Sequence, residues 1–203
     1  MPAAVVPMKS IDLAKRRLGT VLDPVRRRAL AVQMLRHVLD TLGEAQVGPV
    51  LLASDDLALA KELGARVLSG VGDADLNAAA TTAARAVQAQ GAADLLLLTA
   101  DLPYLSTADI DALLEAGQQS AVVIAEAKDG GTNALLVRPP TVLEFSFATG
   151  QPSARRHAER ARAAGMEPVI VSRPGLARDI DTPADLAALV SDHPAYRTYR
   201  HVA

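Results

Sequence analysis

The chain has 203 residues, 50% of them apolar and 22% charged, which suits one globular domain with a substantial core and excludes wholesale disorder. Its 21 basic and 23 acidic side chains leave a net charge of −2, against the basic signature of a protein that binds duplex DNA or an anionic membrane, and aromatics at 2% disfavour base or sugar stacking. With no cysteine, disulfides, thiolate metal sites and cysteine nucleophiles are excluded; no signal peptide or spanning run stands out, so a cytoplasmic protein is expected.

Ala3 to Met8 reads as a first apolar strand ended by Pro7. Asp23-Pro24 opens a helix, since Asp caps and Pro tolerates the first turn. Leu30, Met34, Leu35, Val38 and Leu42 carry that helix forward at helical spacing, and Gly43 is expected to close it. Val47 to Ala53 follows as a strand, Asp55 to Leu63 as a short helix closed by Gly64, and Arg66 to Leu68 as a third strand. After a polar loop, Leu76 to Gln90 is an Ala-rich helix. Asp94 to Thr99 contains four consecutive leucines, the habit of a strand buried on both faces of a parallel sheet. Ser106-Thr-Ala-Asp109 resembles a capping box and opens a helix to Ala116. Two strands, Ala121 to Glu126 and Asn133 to Arg138, flank Lys128-Asp-Gly-Gly131. A helix over 152–164, a strand from Glu167 to Val171 and a helix from Thr182-Pro183 to about Val190 complete the pattern. The alternation predicts an α/β fold with a mostly parallel central sheet flanked by helices. Residues 1–191 are expected to form one domain. Residues 192–203 are a polar tail that either docks on the body or a partner subunit, or frays.

Ligands of open α/β sheets collect beyond the carboxyl ends of the strands. Asp101 follows the most buried strand directly, and serves there as a metal ligand or as a turn-former before Pro103. In Asp179-Ile-Asp181 an extended backbone points both carboxylates one way, and like charges so close call for a cation or donor between them. A capping role would account for Asp181 but not for Asp179. Together the three aspartates make an all-oxygen site suited to Mg²⁺. Lysine is scarce, four against 17 arginines, yet Lys9 and Lys15 both follow the first strand, beside Arg16 and Arg17. This cluster is either a triphosphate clamp or a solvated basic loop. No Walker-type or G-x-G-x-x-G loop is present, so cationic side chains would do more of the phosphate holding. Gly130-Gly-Thr132 allows close backbone approach, and Gly150-Gln-Pro-Ser153 leads into a helix whose free N–H groups and hydroxyl suit an anion, Ser153 as a plain cap being the bland alternative. These two loops are expected to face each other. His157, one turn beyond Ser153, could face the same pocket.

Taken in order, Val6-Pro-Met-Lys9, Ala14-Lys-Arg-Arg-Leu18, Leu76-Asn77, Ala100-Asp-Leu-Pro103, Gly130-Gly-Thr-Asn133, Gly150-x-x-Ser153 and Asp179-Ile-Asp-Thr-Pro183 resemble the CofC/FbiD guanylyltransferase family of coenzyme F420 biosynthesis. The resemblance implies a glycosyltransferase-A-like nucleotidyltransferase fold. It also implies transfer of GMP from GTP to phosphoenolpyruvate, 2-phospho-L-lactate or 3-phospho-D-glycerate with release of pyrophosphate. By the same resemblance Asp101, Asp179 and Asp181 would hold Mg²⁺, and Thr132, Gly150 and Ser153 would bind the phospho-acid. Lys9, Lys15, Arg17 and Asn77 would lie toward the nucleotide, with Lys9 and Lys15 also serving catalysis. Arg16 departs from the family, which commonly has Ser there. The expected partners are GTP and a small phospho-acid, with no nucleic acid and no membrane; a homodimer and the downstream enzyme that takes the product are the candidate protein partners. Two other readings stay open: another nucleotidyltransferase of this fold, acting on a sugar phosphate or a molybdenum-cofactor precursor, and a non-catalytic regulatory module.

Overall fold

The computed structural model describes residues 1–8, 10–71, 75–147 and 152–200, so the candidate residues Lys9 and Gly150 lie outside the described residues. Seven strands, β1 (Ala3–Pro7), β2 (Val50–Ala53), β3 (Val67–Leu68), β4 (Leu95–Leu98), β5 (Val122–Glu126), β6 (Thr132–Val137) and β7 (Val169–Val171), form one sheet in the order β3-β2-β1-β4-β6-β5-β7. The pairs β1–β2, β1–β4, β2–β3 and β5–β7 are parallel. β6 runs antiparallel to both its neighbours. The cause is the connection over 127–131, too short for the dozen or so residues a parallel crossover needs.

The helices are α1 (Pro24–Glu44), α2 (Leu57–Leu63), α3 (Leu76–Ala89), α4 (Thr107–Ala116), α5 (Ser153–Ala163), α6 (Pro174–Ala177) and α7 (Pro183–Asp192). Three of them start on an aspartate: the carboxylates of Asp23, Asp56 and Asp75 accept the N–H groups of Arg26, Leu59 and Ala78 at 2.8, 2.9 and 2.9 Å. The box at Ser106 forms as expected, with Asp109 Oδ2 accepting the Ser106 N–H at 3.0 Å and its hydroxyl at 2.6 Å. Gly43 does not end α1. The helix continues to Glu44 and stops where Ala45 turns extended, and nothing within 4 Å of Gly43 demands a glycine. β2 begins at Val50, three residues later than expected, after Pro49.

Strand residues alternate between two cores, as a period of two requires. Ala4, Val6, Leu96 and Leu98 pack with α1 and α4, whereas Ala3, Val5, Leu95 and Leu97 pack with α3 and α5. The four leucines of β4 are all buried, which explains why they read as an unbroken apolar run. A third cluster joins Leu18, Leu30, Met34 and Ile180 to α7 and to Tyr196 and Tyr199. The tail is therefore docked rather than frayed over residues 194–199, where a 3-10 turn carries both tyrosines into the core. Tyr199 donates to Gln33 on α1 at 3.0 Å, and Arg26 donates to the Thr198 carbonyl at 2.7 Å. No helix among the described residues is long and apolar enough to cross a membrane.

Candidate active site

The carboxyl ends of β1 and β4 meet the start of β6, and the segment that follows α6 crosses in front of them. Two short 3-10 turns, Ile11–Leu13 and Arg16–Leu18, bracket Lys15, which sits in the left-handed region at φ 55°. Such a backbone is uncommon for a residue with a Cβ. Here it directs the ammonium inward, where it forms an ion pair with Asp101 and a second with Asp181 at 3.1 Å. The Lys15 side chain is only 7% exposed. Burial alone would lower its pKa, but Asp101 and Asp181 outweigh that and hold it above the usual lysine value. Arg17, by contrast, is exposed and reaches Asp181 from solvent at 3.3 Å.

Asp101, Asp179 and Asp181 each offer an oxygen within 4.8 Å of the others, so residues far apart in the chain form the expected triad. Lys15 balances two of them, whereas Asp179, among the described residues, is met by a backbone N–H and by the side-chain amide of Asn133 at 3.4 Å rather than by a cation. Burial, then repulsion from Asp101 and Asp181, pushes the Asp179 carboxyl up to about 6. Three hard oxygen donors so close together, with more negative charge than Lys15 offsets, are a donor set that fits a divalent cation such as Mg²⁺. Asn133 itself is fixed by donating to the Leu176 carbonyl at 2.9 Å. It is a positioning residue that sequence reasoning quoted in a motif but did not place in the site. Asp109 steadies the same region: it accepts from Arg173 at 3.1 Å, and Gly175 lies so close that a Cβ would meet its carboxylate at 2.2 Å.

Two of the cavities lined by triad residues share part of their walls. One, of about 260 Å³, is mostly apolar and runs from Pro7 and Met8 past Lys15 and Met34 to Leu76 and Phe147. The other, of about 540 Å³, is polar and is lined by Arg17, Gly131, Thr132, Ser153, Asp179 and Asp181 among others. Leu76, Thr99, Asn133 and Phe147 line both, so the cavities adjoin, with Asp101 on one side and Asp179 and Asp181 on the other. The Gly130–Thr132 loop faces the start of α5: Ser153 Oγ lies 3.0 Å from Thr132 Oγ1, and the Ala154 N–H donates to the Gly130 carbonyl at 3.2 Å. Gly130 has φ +82°, and a Cβ there would press on Pro152 at 3.0 Å. Asn77, expected toward the nucleotide, uses both ends of its amide on the backbone of Phe147 and so braces the cavity wall. Leu76 and Phe147 are the residues that present surface there. His157 is fully buried beneath Thr132, its Nδ1 3.0 Å from Thr132 Oγ1, rather than in the cavity lining.

The family model for guanylyl transferases of the CofC-like type matches residues 2–201. A phosphoenolpyruvate guanylyltransferase of Rubrobacter xylanophilus is 43% identical over 192 residues, 92% of each chain. That of Sphaerobacter thermophilus is 40% identical over 198 residues, covering 94% of this chain and 93% of its own. Among solved structures, a protein of Desulfovibrio desulfuricans G20, provisionally assigned as a nucleotide-diphospho-sugar transferase, superposes with a TM-score of 0.80 at 20% identity over 97% of this chain and 91% of its own. A 4-diphosphocytidyl-2C-methyl-D-erythritol synthase of Anaerococcus prevotii superposes with a TM-score of 0.66 at 12% identity, covering 94% of this chain and 95% of its own. At such identities these two structures speak to the fold alone.

Proposed function

We infer the reaction from one premise: the chain belongs to the CofC-like guanylyl transferase family and is a nucleotidyltransferase. It joins GMP from GTP to a phosphorylated three-carbon acid and releases pyrophosphate. Phosphoenolpyruvate is the proposed acid, ahead of 2-phospho-L-lactate and 3-phospho-D-glycerate, because it is the acid named for the similar curated enzymes. The reaction would serve coenzyme F420 biosynthesis in the cytoplasm, in line with the family resemblance. The observation that carries the reading is the carboxylate triad standing between an apolar cavity and a hydroxyl-lined one.

The chemistry asks for positioning and charge control more than for a base. The substrate phosphate is already an oxygen nucleophile. It attacks the α-phosphorus of GTP, a new P–O bond forms, and the bond to the leaving pyrophosphate breaks. Asp101, Asp179 and Asp181 would hold a divalent cation, proposed as Mg²⁺, which when bound neutralises charge on the phosphates. Lys15 would offer its ammonium to the triphosphate from the wall of the apolar cavity, and Lys9 is proposed to join it. Thr132 and Ser153, with Gly150, would hold the acid across the triad, so that two anions meet in a fixed orientation. The test is GTP-dependent pyrophosphate release with the three phospho-acids and a panel of sugar phosphates, repeated with CTP, UTP and ATP. Dependence on GTP and a three-carbon phospho-acid supports the proposal; preference for a sugar phosphate or another nucleotide sinks it.

A further inference from the structure

We propose that His157 is a positioning residue that turns the Thr132–Ser153 hydroxyl pair into a hydrogen-bond donor toward the anionic substrate. The proposal rests on the acid-pocket reading above and deepens it. His157 is fully buried on α5, and both ring nitrogens have defined neighbours. The backbone N–H of Ser146 donates to Nε2 at 2.9 Å, so Nε2 is the bare nitrogen and the proton sits on Nδ1. Nδ1–H then donates to Thr132 Oγ1 at 3.0 Å, and Ser153 Oγ is 3.0 Å from the same oxygen.

Counting protons shows what this fixes. Nδ1, Thr132 Oγ1 and Ser153 Oγ share two contacts. With Nδ1 protonated they carry three protons among them, so one hydroxyl proton is left over, whichever hydroxyl donates across the Thr132–Ser153 contact. Both residues line the polar cavity, and the spare proton has an anion to meet there. With the proton on Nε2 instead, Thr132 would donate to Nδ1 and Ser153 to Thr132. No hydroxyl proton would remain, and only lone pairs would face the anion. The tautomer of a residue that never touches substrate thus decides whether the pocket attracts an anion or repels it.

The structure also holds the element that sets the tautomer. Arg160 donates to the carbonyls of Glu144 and Phe145 at 2.8 and 3.0 Å, and Arg156 to that of Ser146 at 3.1 Å, clamping 144–146 onto α5. Phe147 meets the imidazole edge-on, with centroids 4.8 Å apart. Burial and the two arginine charges keep the ring neutral at physiological pH, with its pKa pushed down to about 4.

Long-range ¹H–¹⁵N NMR of labelled wild-type protein reads the tautomer directly, and the expected pattern is a protonated Nδ1 with a bare Nε2. In parallel, His157→Phe should raise KM for phosphoenolpyruvate at least about tenfold while KM for GTP stays within about twofold. His157→Asn, which returns an N–H near the Nδ1 position, should bring KM back to within about threefold of wild type. A proton on Nε2, or an unchanged KM for the acid in His157→Phe, overturns the proposal. The wild-type spectrum decides the matter even where His157→Phe fails to fold. A wild type that accepts no phospho-acid overturns the acid-pocket reading instead, a result distinct from the tautomer.

Discussion

Asp179→Asn should make the chain more stable in a chelating buffer while abolishing turnover. In the absence of a cation Asp179 faces Asp101 and Asp181 with little compensation, and its carboxyl is pushed from 3.8 up to about 6. A shift of about two units corresponds to about 3 kcal/mol at about 1.4 kcal/mol per unit; partial exposure to solvent reduces the expected gain to about 1–2 kcal/mol. The sign follows from linkage. A carboxyl whose folded pKa is raised contributes stability that is fully present below its unfolded value near 4 and is lost as pH rises through about 6. The neutral amide escapes that loss, and its oxygen can still accept from Asn133. Urea unfolding in EDTA at pH 4 to 8 should give similar midpoints for variant and wild type at pH 4 and a gap opening in the variant's favour by pH 7.5. Saturating Mg²⁺ should then stabilise wild type more than the variant, since a ligand stabilises the state it binds. A variant less stable than wild type at pH 7.5 in EDTA would refute the idea that the triad stores like-charge repulsion.

Other substitutions separate side chains that act on substrate from those that hold the fold. Lys15→Ala should lower stability in EDTA by about 1–2 kcal/mol, because it removes the buried cation between two half-buried aspartates, and should cut turnover sharply; Mg²⁺ should restore part of the stability but not the turnover. Arg17→Ala should change stability by less than about 1 kcal/mol, as expected of a solvent-screened pair, so denaturant midpoints close to wild type are the check. Thr132→Val should lower kcat/KM for the acid about 10- to 150-fold with GTP use little changed, whereas a loss of stability alone would return Thr132 to a packing role. The His157 pKa, lowered to about 4 by burial and by Arg160 and Arg156, gives the opposite linkage to Asp179: its contribution is present above about pH 6.5 and is lost as pH falls toward 4. The difference in unfolding free energy between wild type and His157→Asn should therefore shrink across that range, and a constant difference would count against a neutral buried imidazole.

What the sequence disclosed follows from what is local. The four leucines of β4, the cap at Asp23 and the box at Ser106–Asp109 announce themselves because burial on two faces and N–H capping act within a few residues. The reversed direction of β6 is silent in its apolar pattern, since a buried strand reads the same either way; only the short span after β5 carries the signal. α6 is four residues long and is flagged by nothing beyond Pro174 at its start. Polar composition leaves the tail open between docking and fraying, and what decides for docking is Tyr196 and Tyr199 meeting α7 and α1. In the site, the spacing of Asp179 and Asp181 was legible, but the pairing of Lys15 with Asp101, 86 positions away, was not. The resemblance places Asn77 toward the nucleotide, but its pairing with the backbone of Phe147, 70 positions away, is announced by nothing local.

The central claim is tested most directly by ³¹P NMR of the wild-type chain incubated with GTP, phosphoenolpyruvate and Mg²⁺. The account predicts one equivalent of pyrophosphate for each new unsymmetrical diphosphate that joins GMP to the acid, and no pyrophosphate when the acid is left out. Pyrophosphate released at the same rate without the acid, or a GMP adduct formed with sugar phosphates in preference to it, would contradict the account.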